Sequence, residues 1–435
     1  MNQLCFRTIA ILAFMCCTSA PINAQVSSFE LADYKLADVR IQSFTNQFQL
    51  YQNGEVEKGI PDNTIEKRRN NVNLNYKGSY NLYKNTRPYQ RNTTFSAFFD
   101  GYRNTNQFGN EDARNLQYST HYNWNSGLEI SDIHRKYFTP KVFIEAQFLG
   151  RYNFYQLYDF DQSISPTTEV FGRTGIDEHT LSVGVPVKLG MGRLERVEDA
   201  RQAIFLMQEL QKVGRMRDSI SQSEYLNLST LVSQLRNRRF FDVRLQRIYQ
   251  IKAIDTFLQQ NNLTNQLDAE YFTTAFDYWM FGGGPARMSG NRFAIAFYPM
   301  STRQIKRDAR VGTDVILESN FKNQFYQGFL ALECDLEKAI NQKWQSSFTS
   351  RLYFGNRSNS LLTEYIFSET ENRYDLSSIQ FQLNYGIGFY PTTRTAITWS
   401  AGLDLARVQK RNKDVSIQPV GNYDFDLDRN LFYTR

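Results

Sequence analysis

The sequence predicts an all-β fold: an antiparallel transmembrane barrel of about fourteen strands, within a range of twelve to sixteen, interrupted by a three-helix insertion. Two segments that alternate in polarity carry this prediction. In residues 72–82, apart from Gly78, apolar residues occupy every second position and Asn, Lys or Ser lies between them. Residues 379–389 repeat the pattern near the other end of the chain. Such strands suit a barrel, because lipid covers its outside and water fills its lumen.

The composition also favours a barrel. Phe, Trp and Tyr make up 15% of the residues, although the mean hydropathy is only -0.52. No apolar run reaches the roughly 20 residues that a membrane helix needs. A barrel uses aromatic residues on its lipid face and at both membrane interfaces. Because Cys334 is the single cysteine after residue 24, an intramolecular disulfide and a zinc site with two cysteines are excluded.

The first 24 residues have the features of a secretory signal peptide. Arg7 precedes an apolar run at residues 9–17, and a stretch of small residues ends at Ala24, just before Gln25. The apolar run is too short to span a bilayer. A lipoprotein is the weaker alternative, because Met15 precedes Cys16 where a lipobox requires a small residue. We therefore expect an exported protein.

The mature chain divides into two barrel halves, residues 25–189 and 266–435, around an insertion at residues 190–265. Strands are predicted at residues 39–52, 70–84, 91–104, 113–134, 141–159, 176–189, 269–281, 291–299, 308–319, 325–337, 342–356, 376–390, 395–409 and between 415 and 435. Long polar connections are predicted at residues 53–70, 159–175 and 356–377. Tyr298 with Pro299 and Tyr390 with Pro391 predict tight turns, because proline has no N–H for a ladder and tyrosine suits a membrane interface. Long loops outside the cell and short turns in the periplasm are typical of outer-membrane barrels.

The insertion has a helical period of about 3.6 residues. Its three apolar stripes are Ala200, Ala203, Ile204, Met207, Leu210 and Val213; Tyr225, Leu228, Leu231, Val232 and Leu235; and Leu245, Ile248, Ile251, Ile254 and Leu258. Gly214 is a suitable C-cap for the first helix, Ser221 and Glu224 form a capping box for the second, and Asp242 begins the third. We expect the helices to pack on one another in the periplasm, because six strands separate them from a periplasmic N-terminus.

Most of the chain's net charge lies in this insertion. Residues 193–263 contain twelve Lys or Arg and eight Asp or Glu, a surplus of four within the chain's net charge of +6. The candidate partner contacts crowd the junction of the second and third helices: Arg236, Arg238, Arg239, Arg244 and Arg247. They predict contact with a periplasmic protein, an acidic glycan or lipid headgroups. The alternative is a solvated helix face whose arginines pair with Asp242 and Asp255.

The sequence contains no specific catalytic, cofactor-binding or metal-binding motif, and we predict no cofactor. Histidine occurs only as His121, His134 and His179. Asp132 shares a strand face with His134, and Asp177 and Glu178 directly precede His179, but ordinary ion pairs have the same spacing. We expect a protein that is not an enzyme, with an outer-membrane hydrolase as the enzymatic alternative. Nucleic acid is not an expected partner of an exported chain.

Three features of the mature chain agree with one known group of proteins. They are the cleavage before Gln25, the two Tyr-Pro turns, and the segment 190–195 that leaves a strand and enters helices containing Arg239, Phe240, Phe241, Asp242 and Arg244. With these features the chain resembles the outer-membrane β-barrel proteins of Bacteroidota-type bacteria. The resemblance implies contact with lipid in the outer membrane of a Gram-negative cell, and it implies no assigned activity. We expect a channel or a scaffold linked to secretion or assembly, with a hydrolase or a secreted glycan-binding β protein as the alternatives.

Overall fold

One antiparallel sheet dominates the computed structural model, which describes residues 31, 34, 38–58, 66–110, 115–238, 242–283, 287–312, 316–365, 368–391, 395–410 and 415–416. The strands are β1 Val39–Lys58, β2 Glu66–Asn85, β3 Tyr89–Asn110, β4 Asn115–Tyr137, β5 Val142–Ile164, β6 Glu169–Gly184, β7 Val187–Arg196, β8 Met288–Gly312, β9 Ile316–Ala339, β10 Trp344–Tyr365, β11 Ser368–Phe389, β12 Ile397–Lys410 and β13 Val415–Ser416. Neighbours in the sheet follow chain order. The predicted signal peptide and most of the predicted last strand lie outside the described residues.

Two of these segments, β6 and β7, are halves of one strand. Gly184 pairs with Leu149 and Val187 pairs with Ala146, which is the register that one uninterrupted strand would have. Both halves also pair with β8 in one continuous register, so the strand that they form lies between β5 and β8. Counted this way, the sheet has twelve strands. The predicted all-β, antiparallel fold is confirmed, and the predicted number of fourteen strands is wrong.

The turn predicted at Tyr298 and Pro299 is also wrong, because both residues lie inside β8. Proline cannot donate to a ladder, which ordinarily ends a strand. Here Pro299 lies opposite the short break between β6 and β7, and its carbonyl accepts a hydrogen bond from the Val185 N–H at 3.2 Å. The backbone N–H that Pro299 lacks would therefore face the break between β6 and β7, where the neighbouring strand is interrupted in any case. The turn predicted at Pro391 is confirmed, since β11 ends at Phe389 and β12 begins at Ile397.

The long polar connections predicted at residues 53–70, 159–175 and 356–377 are mostly strand. Most strands contain 20 to 25 residues, and β5 and β6 are joined by four residues only, 165–168. The prediction relied on alternation, which disappears where water reaches both faces of a hairpin. The backbone ladder does not need an apolar face, so the hairpins continue beyond the alternating region.

Four helices separate β7 from β8: α1 Glu198–Lys212, α2 Gln222–Asn237, α3 Val243–Gln260 and α4 Ala269–Phe281. The first three lie where the sequence predicts them, and α2 has the full capping box of Ser221 and Glu224. The strand predicted at residues 269–281 is wrong. Asp268 caps a helix there, and the buried residues Tyr271 and Ala275 are four positions apart. The insertion therefore has four helices and not three.

The helices form a unit with its own core, which we call the helical unit. Its buried residues include Ala200, Ala203, Ile204, Leu206, Met207, Leu210, Leu228, Val232, Ile254, Leu258 and Tyr271. The apolar stripe of α3 is buried only toward its end, because Leu245 is 55% exposed and Ile248 is 48% exposed. Among the described residues, no helix is long and apolar enough to cross a membrane.

The helical unit lies at one end of the sheet, which we call the helical end. The turns at residues 86–88, 138–141 and 340–343 and the start of β1 lie at the same end, because antiparallel strands reverse direction at each connection. The connection at residues 165–168, the end of β1 and the start of β2 belong to the opposite end, which we call the far end. The insertion and the start of β1 are therefore on one side, as the sequence predicts.

The strand register separates an apolar face of the sheet from a polar face. On the apolar face one row of directly paired residues crosses seven segments: Ile144, Leu189, Ile295, Leu332, Leu352, Phe381 and Leu405. Apolar residues alternate along this face over residues 142–152 of β5 and residues 181–191 of β6 and β7. Leu189 and Ile295 are each 60% exposed. We call this exposed surface the apolar band.

Candidate functional site: a charged network on the polar face

Seven charged side chains form a network on the polar face, directly behind the apolar band. They come from β4, β5, β7, β8, β9 and β10 and are Arg135, Glu145, Lys188, Arg292, Glu333, Asp335 and Arg351. Small residues between them leave room for the long side chains. Ala296 and Ala331 are each 1% exposed and pair directly with each other, and Ala296 also pairs with Lys188.

Glu145 anchors one end of the network. Arg135 donates from Nε to Glu145 Oε2 at 2.8 Å, and Lys188 Nζ lies 3.4 Å from Glu145 Oε1. The Arg135 guanidinium also donates to Gln90 Oε1 at 2.8 Å and lies over the Phe143 ring, 5.0 Å from its centroid. The Glu145 side chain is only 3% exposed. Its charge is therefore compensated by two cations, as a buried carboxylate requires.

Lys188 links Glu145 to Glu333 in the middle of the network. Its Nζ lies 3.0 Å from Glu333 Oε2, and it also lies over the Tyr298 ring at 5.3 Å from the centroid. The Tyr298 hydroxyl donates to Glu333 as well. The Glu333 side chain is 2% exposed. This carboxylate is therefore almost completely removed from water and depends on these few donors.

Asp335 holds the other end of the network between two arginines. Arg292 Nη2 lies 2.6 Å from Asp335 Oδ2, and Arg351 Nη2 lies 2.5 Å from Oδ1. Arg351 Nε is also 4.0 Å from Glu333, which connects the two halves. Four cations thus meet three carboxylates. Such an arrangement can fix the relative positions of six strand segments, because each charge is stable only while its partners stay in place.

A second group of arginines joins the helical unit to the strand ends. Arg193 donates to Asn85 Oδ1 at 2.7 Å and to the backbone oxygens of Thr86 and Arg87 at 3.0 and 2.8 Å. Arg287 donates to the backbone oxygens of residues 341, 342 and 344 in the turn between β9 and β10. Arg193 lies in β7 and Arg287 lies directly before β8, so these bonds hold the two strand ends beside the helical unit against two different hairpins of the sheet.

Tyr390, which follows β11, also takes part in the contact between the helical unit and the strand ends. Its ring lies below Arg201 and Arg287, 5.3 and 5.1 Å from the two guanidinium carbons, and it is 8% exposed. The prediction that this tyrosine places its ring in lipid is therefore wrong. Burial lowers the pKa of Arg201, while burial and the neighbouring Arg201 charge lower the pKa of Arg287 to about 10. Arg201 and Arg287 are thus two buried cations that repel each other at the contact between the helical unit and the strand ends.

The predicted partner-contact arginines have different environments. Arg236 forms an ion pair with Asp199 of α1 at 3.0 Å, and Arg238 lies over the Tyr249 ring at 4.1 Å. Arg244 and Arg247 are exposed on the first turns of α3. Arg239 lies outside the described residues. Asp242 accepts from the backbone N–H groups of Arg244 and Leu245, and Asp255 accepts from Tyr271 and Gln259, so in the described part of the chain Arg236, Arg244 and Arg247 do not pair with either aspartate.

The three histidines do not come together. His134 lies 2.9 Å from Asp132 on the apolar face, and His179 Nδ1 lies 2.8 Å from the Tyr152 hydroxyl. His121 contacts Asp159 on the polar face. In the described part of the chain, no group of three or more His, Cys, Asp or Glu side chains is placed to hold a metal ion. These positions give no constellation in which a nucleophile and an oriented base share a cleft.

Sequence reasoning did not identify the charged network. The available signal was the segment 330–337, in which Glu333, Asp335 and Glu337 alternate with leucines and Cys334. Strand alternation places these acids on one face, but the basic partners of Glu333 and Asp335 are 16 to 145 positions away along the chain and follow only from the strand register. No protein-family model matches the chain, and no curated protein matches it.

Proposed function

We propose that the chain is an outer-membrane β-barrel that serves as a scaffold for secretion or assembly, with its helical unit in the periplasm and in contact with a partner there. The apolar band is the observation that carries this proposal. A transmembrane strand needs about 9 to 11 residues with lipid on one face. The bands on β5 and on β6 with β7 cover residues 142–152 and 181–191.

The proposed orientation follows from the two ends of the sheet. The start of β1 and the helical unit share the helical end. An exported chain whose mature N-terminus stays in the periplasm has that end on the periplasmic side. The hairpins extend well beyond the apolar band at the far end, and outer-membrane barrels carry their larger extensions outside the cell.

The packing of the polar face favours a scaffold over an open channel. In a wide water-filled lumen, wall carboxylates are solvated, whereas the side chains of Glu145, Glu333 and Asp335 are 3%, 2% and 5% exposed. The strand ends that flank the helical unit are fixed to two hairpins at the same end by Arg193 and Arg287. A barrel that is packed at its periplasmic end is better suited to hold a partner than to pass solutes freely.

The start of α3 is the proposed partner surface. Arg244 and Arg247 are each followed directly by an exposed apolar residue, Leu245 and Ile248, and Tyr249, which is 37% exposed, comes next. Arginine, tyrosine and large aliphatic residues are the usual anchors of protein interfaces. The two arginines also lie in the first turns of a helix, where the macrodipole disfavours cations. This arrangement fits an acidic protein segment with apolar side chains of its own.

Replacing Arg244 and Arg247 together by Glu should weaken crosslinking to that periplasmic partner by at least about tenfold, because charge complementarity becomes repulsion. The helix itself should remain, since acidic residues are favoured at its start. Crosslinking in cells followed by identification of the captured proteins measures the effect. The control is Lys252→Glu, an exposed position on the same helix. Capture of the same partners by both variants would show that these arginines are an ordinary solvated surface.

A further inference from the structure

A row of basic residues crosses four strands on the apolar face near the helical end. Arg40 of β1 pairs directly with Lys84 of β2, Lys84 pairs with Arg91 of β3, and Arg91 pairs with His134 of β4. We call these four residues the basic row. Arg40, Lys84 and His134 are exposed, and the Arg91 side chain is 35% exposed.

The positive charge of the basic row exceeds the negative charge of the carboxylates in contact with it. Asp132 accepts from Arg91 at 2.9 Å and lies 2.9 Å from His134. Neither Arg40 nor Lys84 has a hydrogen bond or ion pair among the described residues, although Lys84 lies over the Tyr89 ring at 5.6 Å. Like charges directly opposite each other destabilise a sheet. The row therefore carries uncompensated charge that an external anion can neutralise.

The row also has a defined position relative to the apolar band. Four residues further along the same strands, the apolar face carries the paired residues Phe44, Tyr80, Phe95 and Ile130. Four residues of a strand rise by about 13 Å, and tilt reduces the vertical distance. Lipid phosphates lie just outside the hydrocarbon region, within reach of long basic side chains. On β2 the alternating apolar residues end at Leu82, and Lys84 is the next residue on that face, whereas His134 at the other end of the row pairs with Ala146 inside the band. Arg40 and Lys84 thus lie at the level of headgroups whose acyl chains cover the apolar band.

We propose that the basic row binds the phosphate groups of anionic phospholipids in the periplasmic leaflet of the outer membrane. This inference rests on the proposed membrane position of the sheet. The cross-strand register brings together Arg40, Lys84 and Arg91, which attract a phosphate group. The adjoining apolar band gives the acyl chains of the same lipid a surface to cover.

Spin-labelled lipids test the proposal. The full chain is reconstituted into phosphatidylcholine vesicles, and the association of spin-labelled phosphatidylglycerol is compared with that of spin-labelled phosphatidylcholine. At low salt we expect about fivefold stronger association of phosphatidylglycerol at a site that a basic residue contacts. The preference should decrease as salt rises. The variant with Arg40→Gln and Lys84→Gln should lose most of it, whereas Arg303→Gln, on the same face at the opposite edge of the band beside Leu181, should keep it.

The possible failures are distinguishable. Equal association of both lipids with the wild-type protein would overturn the inference, and so would an unchanged preference in the double variant or an equal loss in Arg303→Gln. In all of these cases the chain still inserts, which an unboiled sample shows by a gel migration different from that of a boiled sample. A chain that inserts into no vesicle would overturn the proposed membrane position together with the lipid site.

Discussion

Replacing Glu333 by Ala should lower the free energy of unfolding by about 3 to 5 kcal/mol, because it removes the partner of a buried cation. Lys188 would keep only the more distant Glu145 carboxylate at 3.4 Å, and the Tyr298 hydroxyl would lose its acceptor. The fraction of protein that keeps its folded gel migration in increasing urea measures the change. Removing the cation as well, with Lys188→Met, should restore part of the lost stability.

The control for this prediction is an ion pair on the same face that is open to water. Glu129 and Arg151 lie 3.2 Å apart, and their side chains are 53% and 55% exposed. Glu129→Ala should therefore cost no more than about 1 kcal/mol. If the Glu129 and Glu333 variants unfolded at the same urea concentration, the network would be as solvated as the surface pair. The periplasmic end of the sheet would then be open to water and not packed.

Replacing Leu383 by Arg should destabilise the inserted protein by about 2 to 4 kcal/mol, because a lipid-facing cation near the middle of a bilayer is expensive. Leu383 pairs with Leu403 on the apolar face. The neighbouring residue, Gln382, points to the polar face and donates to Asp404 at 3.2 Å. Gln382→Arg should therefore have a small effect. Urea unfolding from vesicles compares the two variants, and equal costs would mean that lipid does not cover the apolar face.

Local patterns predicted the alternating regions and three of the helices correctly. The segments around Leu74 and around Leu383 each have one polar face and one apolar face, and each lies within a strand. Capping by Ser221 and Asp242 requires only neighbouring residues, so the starts of α2 and α3 were predictable. Each of these features is determined within about ten residues of chain.

The errors arose where a distant contact decided the local structure. Pro299 ends a strand by its own chemistry, but the break between β6 and β7 lies opposite it and lets β8 continue. A strand is predicted at residues 269–281, but Asp268 and the packing of Tyr271 against the helical core produce α4. The charged network depends on the register of six strand segments, which no local pattern specifies.

Cysteine labelling tests the central claim, a sheet that crosses the outer membrane with its helical unit in the periplasm. In a Cys334→Ser background, a single cysteine replaces Thr167 in the far-end turn at residues 165–168, or Gln222 at the start of α2. A membrane-impermeant maleimide applied to intact cells should label the cysteine at Thr167. It should reach the cysteine at Gln222 only after the outer membrane has been permeabilised. Labelling at Gln222 in intact cells would contradict the proposed orientation, and equal labelling of both positions would contradict the membrane-spanning sheet itself.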